Sequence, residues 1–240
     1  MTKFYLPLTA FFVVVLCSYS NAQQLPDSAA YNATLAYYTE SVGEQSELFS
    51  GYEYHEVRVN IGSVFFKDNK EWTMASLVYN GNVYKNVPLL YDAFSDLTVS
   101  KRPNGPIKFV IIPEKVSSFH LGSHHFVRIS ASEVKNATKE RFYEELYAGK
   151  SSVIAKRSKT RSEILTKDEG LKIAFENDDA IYIKKDGQYM PIKSRGDMLK
   201  LFNNKADALK AYIKSAALNF GAGKEEAFAK LANYYDQISL

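Results

Sequence analysis

The feature that most narrows the fold is a rhythm of short extended runs, cut by turn residues, between about residues 54 and 129. Residues 54–60 alternate, with Val57 and Val59 set against Glu56 and Arg58, the period-2 signature of a half-buried strand. Further runs follow at 63–67, 72–79, 86–92, 97–101, 107–112, 116–121 and 124–129. Asn80-Gly81 stands between Leu77-Val78-Tyr79 and Val83-Tyr84. A two-residue type I′ turn needs positive φ at both central positions, which Asn-Gly accepts, so this segment reads as a hairpin. Pro88 has no N–H for a ladder and marks an edge or a bulge in its run. Residues 103–106 and Leu121-Gly122-Ser123 are turns. Strands joined this tightly, with no long helix between them, read as an antiparallel meander.

The rest of the chain adds helices and two more hairpins. After a loop at 131–139, residues 142–148 and 152–159 pair about Gly149-Lys150, and 180–184 pairs with 188–192 across Lys185-Asp186-Gly187. Residues 161–179 are charged and fit no single element, with Asn177-Asp178-Asp179 as a turn. Tyr31, Leu35, Tyr38 and Val42 recur at helical spacing behind an Asp27-Ser28 cap, so a helix is expected over 28–42. Leu48-Phe49, bracketed by Gly43 and Gly51, is expected to plug the sheet edge. The end is helical at 197–202, 205–218 and 224–238, with a break at Gly221-Ala222-Gly223. Those helices should dock through Tyr212, Ile213, Phe228, Leu231 and Tyr235. The fold class is α+β, mainly β: one curved antiparallel sheet with an N-terminal helix and a C-terminal helical tail. The organisation is a signal peptide over 1–22, an antiparallel β domain with its N-terminal helix over 23–194, and a helical tail packed on it over 195–240.

The first 22 residues carry an address. Lys3 gives a positive start, residues 5–17 are apolar but for one Thr, and Ser20-Asn21-Ala22 offers small residues at a signal-peptidase site. The run is short of the roughly 20 apolar residues that span a bilayer. Export is expected, to the periplasm, the outer-membrane surface or the medium, with no transmembrane segment once the signal is removed. The one cysteine, Cys17, lies in the signal. Leu16 before it argues against a lipoprotein, and the exported chain has no thiol for disulfides, metal sites or catalysis. Lys and Arg number 30 against 27 Asp and Glu, a balance with no electrostatic footprint for nucleic acid. The densest basic cluster, residues 156–161 (KRSKTR), alternates along an expected strand. It reads as a solvated strand face, with a surface for an anionic partner as the alternative.

Residues 42–54 (VGEQSELFSGYEY) and 79–92 (YNGNVYKNVPLLYD) resemble exported, uncharacterised proteins of Bacteroidota. So does the ending: a short Leu-rich helix at Met198-Leu199-Lys200-Leu201-Phe202, a Lys-rich helix, and a last helix closing on Tyr234-Tyr235-Asp236. The resemblance implies lineage and compartment and no activity. In that lineage Asp27-Ser28-Ala29 is similar to an O-glycosylation acceptor. Asn32-Ala33-Thr34 and Asn136-Ala137-Thr138 fit the N-glycosylation pattern, which carries little weight in a bacterium.

Few residues suggest chemistry. His120, His124 and His125 are three of four histidines, on two strands of one expected hairpin. Two imidazoles on adjacent strands can begin a zinc or copper site, but a third ligand is needed, and Glu114 is the nearest carboxylate. The pattern favours strand histidines beside a turn. Asp92 and Asp96 are a pair of carboxylates of the kind that hydrolyses glycosides, or caps of a turn, and the turn is the favoured reading. Tyr79, Tyr84, Tyr91, Tyr182 and Tyr189 form either a binding face for sugar or lipid or half-buried sheet positions. No nucleophile elbow, phosphate-binding glycine loop or His-Glu-x-x-His occurs, so no cofactor is expected. The leading expectation is a non-enzymatic envelope or secreted protein that binds an unknown envelope partner or small ligand. The alternatives are a hydrolase of glycans or peptidoglycan and a carrier of an apolar ligand.

Overall fold

A computed structural model describes residues 47–102 and 105–239. The helix expected over 28–42 and the segment 1–22 lie outside those residues. Eleven strands form one sheet. Their order is β1 (Tyr52–Glu53), β5 (Lys108–Val110), β4 (Leu97–Lys101), β3 (Asn82–Asp92), β2 (Thr73–Tyr79), β6 (Val116–Leu121), β7 (His124–Ile129), β8 (Arg141–Tyr147), β9 (Val153–Lys156), β12 (Ala180–Lys185) and β13 (Gln188–Ile192). Each adjacent pair is antiparallel. The remaining two strands, β10 (Lys159–Thr166) and β11 (Gly170–Asn177), form a separate two-stranded arm.

The turn chemistry fixes much of this. Asn80 and Gly81 take φ of 50° and 78°, and Tyr79 pairs with Asn82 across them. Asp186 and Gly187 take 51° and 83° between Lys185 and Gln188. Pro88 lies inside the sheet, since β3 pairs on both sides, and the expectation of a bulge holds: the β2–β3 register shifts between Ala75 and Leu77, with Asn86 at φ 57°. Two expected strands are corrected. Residues 54–60 are not a strand, because β5 is only three residues long and its last bond, Lys108 O from Tyr54 N at 2.9 Å, exhausts the partner. The chain then leaves the sheet, and Asn60 and Ile61 bond Ile173 on the arm instead. Residues 63–67 make one bridge, Phe65 to Asp92, and then a tight turn at Phe66–Asp68.

Alternation divides the core between the two sheet faces. One face carries an aromatic cluster of Tyr79, Tyr91, Phe119, Phe126 and Phe142 with Leu77 and Leu89, covered by Leu48 and Phe66. Further along the same face, Val153, Ile181, Ile183 and Ile192 meet three helices, α1 (Arg195–Leu201), α2 (Ala206–Ser215) and α3 (Lys224–Ile238). Ser194 and Asp197 form a capping box that starts α1. Ile213, Phe228 and Leu231 are buried here, Tyr212 stacks on Tyr234 at 4.1 Å, and Tyr235 stacks on Phe202 at 3.9 Å. Each buried aliphatic or aromatic side chain is worth ~1.5–3 kcal/mol, enough to hold helices too short to persist alone. The opposite face packs Leu90, Val99 and Val110 against Tyr54, Phe65 and the arm's Phe175, and Tyr143 and Ile154 against Val134 and Tyr189. Among the described residues no helix is long and apolar enough to cross a membrane.

Candidate functional site

Between the aromatic cluster and the helical cluster, on the same face of the sheet, the side chains turn from apolar to charged. His124 on β7, Glu144 on β8 and Arg157 just past β9 lie on neighbouring strands, since Phe126 pairs with Glu144 and Glu144 with Ala155. Arg157 is the hub. Its Nε donates to Glu144 at 2.6 Å, its Nη1 to Asp179 at 2.9 Å, and its two Nη atoms to the two oxygens of Glu225 at 2.7 and 2.8 Å. Burial works against the guanidinium charge, but the Glu225 hydrogen bonds and the Glu144 and Glu225 charges outweigh it and hold Arg157 more firmly protonated. The Arg157 hydrogen bond pulls Glu225 below the usual carboxylate range against the smaller effect of burial.

Glu144 is shared. Its other oxygen meets His124 Nδ1, and His124 Nε2 meets Lys67 Nζ at 2.7 Å. A lysine offers only donors, so Nε2 accepts and the ring proton sits on Nδ1, facing Glu144. Lys67 owes its position to Phe66, which is buried in the aromatic cluster and meets Phe126 edge-on at 5.2 Å and His124 at 5.1 Å. Lys67 and Asp68 follow with φ of 54° and 56°. Two consecutive residues other than glycine in the left-handed region cost on the order of 1–3 kcal/mol each. The surroundings hold them there: Lys67 on His124, and Asp68 on Lys159 Nζ at 2.8 Å, with the lysine side chain itself 2 % exposed. Phe66, Lys67, Arg157, Lys159, Asn177 and Glu225 line a cleft of 250 Å³. Larger and more open grooves lie at Glu56–Val59 with Lys108 and beside Leu146 and Ala222.

The basic cluster 156–161 is therefore a solvated face only at its end: Arg157, Ser158 and Lys159 are buried, while Thr160 and Arg161 are exposed. Alternation fails there because the chain leaves one sheet after Lys156 and enters the arm at Lys159. Sequence reasoning passed over Glu144, Asp179, Glu225 and Lys67. One signal was present: in 141–147, Phe142, Glu144 and Leu146 share a face, so Glu144 is a carboxylate at an inward position.

The expected site residues are placed elsewhere. Asp92 is fully buried; its Oδ1 accepts from the Phe94 and Ser95 backbone at 3.0 and 2.9 Å and its Oδ2 from the Tyr54 hydroxyl at 2.9 Å. Asp96, 7 % exposed, accepts from the Tyr91 hydroxyl at 2.8 Å and the Phe142 backbone at 3.3 Å, with Arg141 3.7 Å away. Burial pushes Asp96 up from its ordinary value, partly offset by Arg141. Both carboxylates serve the turn. His120 and His125 pair across the β6–β7 hairpin and stack 4.2 Å apart, 10° from parallel, while His124 takes the other face. The in-plane lone pairs of stacked rings run side by side and do not converge on one ion. Among the described residues no group of three or more His, Cys, Asp or Glu is arranged to hold a metal ion. Of the five tyrosines, Tyr79, Tyr91 and Tyr189 are buried, so they form no open face. No family model, curated protein or solved structure matches the chain.

Proposed function

We propose that this is an exported, non-enzymatic envelope or secreted protein, and that it holds a small neutral polar ligand, of the size of one sugar ring, in the Arg157 cleft. The observation that carries the reading is the left-handed Lys67 at the rim of a cleft, with left-handed Asp68 beside it, where Arg157 and Lys159 are already paired with carboxylates. Strain kept in place by surrounding contacts is typical of ligand clamps. At 250 Å³ the cleft lies just below the range of drug-sized pockets, about 300–1,000 Å³. Of its cations, Arg157 is paired with Asp179 and Glu225 and Lys159 with Asp68, while Lys67 meets the His124 ring. A net charge entering would meet repulsion from one set, whereas hydroxyl groups can accept from the guanidinium and ammonium donors and donate to the carboxylates. In this reading the sheet is curved, as its bulges at β2–β3, β2–β6 and β8–β9 support. The buried ties of Asp92 and Asp96 weigh against their use as a hydrolytic pair, and the aromatic filling of the sheet face weighs against an apolar carrier.

The test is a thermal-shift screen of the purified protein against monosaccharides, with amino acids and inorganic phosphate for comparison. A ligand at about 100 times its Kd adds ~2.7 kcal/mol of stability, a readily measured shift in Tm. A monosaccharide should raise Tm in the wild type and not in Lys67→Ala or Asn177→Ala, whose side chains are exposed. No stabilising sugar, or one that stabilises both variants equally, would refute the assignment.

A further inference from the structure

The fold guards both edges of its large sheet, whereas among the described residues one edge of the arm is unpaired. At one end β1 has two residues. At the other, β13 carries Pro191 and is covered by the bridge from Val134 and the bond from Lys135 N to Tyr189 O at 2.9 Å. Short edges, prolines and covering loops are the usual protections against edge-to-edge pairing. On the arm, β11 is paired on its far side by Asn60 and Ile61. Among the described residues no strand pairs with the outer edge of β10. That strand has eight residues with no proline, and its ladder with β11 runs without a register shift. Its outer half is exposed on both faces, with Ile164 at 40 % and Leu165 at 80 %.

We propose that the edge of β10 pairs with the same edge of a second copy, antiparallel, about a two-fold axis at Ser162. The charge pattern names this occupant. Arg161 and Glu163 flank Ser162 on one face and already meet within the strand at 2.7 Å. With the axis at Ser162, each Arg161 lies across from the Glu163 of the other copy, giving two complementary pairs. An axis at Glu163 sets glutamate against glutamate, one at Arg161 sets arginine against arginine, and a parallel in-register pair does both. Opposite charges directly across a ladder attract and like charges repel, so a single register is favoured. A two-fold contact uses the same patch twice, and here the patch is self-complementary. It also places Ile164 against Thr160 of the other copy, which covers part of that exposed apolar side chain. The contact is one strand wide, so the dimer is weak and depends on concentration.

Sedimentation velocity over a concentration series reads this directly. The wild-type protein should pass from monomer to dimer as concentration rises, and added salt should weaken the dimer. Arg161→Glu and Glu163→Arg, both at exposed positions, should each weaken it on the order of tenfold or more. An equimolar mixture of the two variants should recover it, because the complementary pairs then form between unlike chains. A wild type that stays monomeric throughout would overturn the proposal. So would a dimer indifferent to both reversals, or a monomer whose β10 edge instead captures an unrelated extended peptide.

Discussion

Two parts of this molecule bury carboxylates, and they do so by different means. At the β3–β4 corner, Asp92 and Asp96 take their hydrogen bonds from neutral donors, the Tyr54 and Tyr91 hydroxyls and backbone N–H groups of Phe94, Ser95 and Phe142, with the Arg141 charge 3.7 Å from Asp96. At the seam between the aromatic and helical clusters, Glu144, Asp179 and Glu225 are held by one guanidinium. The corner is inside the fold, and its carboxylates have no face left for anything else. The seam opens on a cleft. Neutral donors suffice to close a turn of five residues, whereas the seam joins β8, the β9–β10 junction, the β11–β12 turn and α3, and there one cation orients three anions at once. Buried carboxylates are therefore poor markers of a site by themselves; what satisfies them separates a structural tie from a cleft.

The sharpest way to break this contrast is to remove the hub. Arg157→Met should cost ~3–5 kcal/mol, because it strands Glu144 inside the protein as well as releasing α3; chemical denaturation measures it. A loss below about 1 kcal/mol, the scale of an exposed ion pair, would show that the seam is a surface network. Next in size is Asp92→Ala, expected to lose ~2 kcal/mol by leaving the Tyr54 hydroxyl and two turn N–H groups without their acceptor.

The two regions should also respond to acid with opposite sign. Glu225 is depressed in the folded state, so its contribution is present above the ordinary value of 4.5 and is lost as pH falls through the folded value. Asp96 is raised, so its contribution is present below 3.8 and is lost as pH rises through the folded value. Stability measured from pH 3 upward should climb less steeply with pH in Glu225→Gln and more steeply in Asp96→Asn. Slopes that move the same way in both variants would contradict the contrast. The smallest effect belongs to His120, outside both regions. Burial and the neighbouring His125 lower it from 6.5, so the unfolded chain protonates first and stability declines slightly as pH falls below that value. His120→Gln should flatten this decline, and an unchanged profile would show that the stacked pair does not hold His120 in its neutral form.

Much of the fold was legible in the sequence where local chemistry is decisive. Asn80-Gly81 and Asp186-Gly187 turn where they do because few other pairs accept positive φ twice in succession. The three C-terminal helices follow from apolar spacing, though α1 begins at Arg195, two residues before the expected start at 197, behind the Ser194–Asp197 box. Legibility ended where a segment's partner is set by something distant. Residues 54–60 alternate as a strand should, yet β5 is too short to receive them. Residues 159–177, charged and without a clear period, are strands because they pair with each other and because Phe175 finds a core.

The site followed the same division. The sequence by itself determined that His120 can share a face with only one of His124 and His125, since alternation sends neighbouring side chains to opposite faces, and it favoured a turn for Asp92 and Asp96; the register of the folded hairpin made that partner His125. Only the tertiary structure decided that Arg157 is buried, that Glu144, Asp179 and Glu225 converge on it, and that Lys67 is held on His124 in a left-handed turn. Those contacts join residues up to 68 positions apart on six different segments. Side-chain alternation is a property of one strand, readable along the chain, whereas the partners of a buried charge are chosen by which strands lie side by side and which helix packs across them.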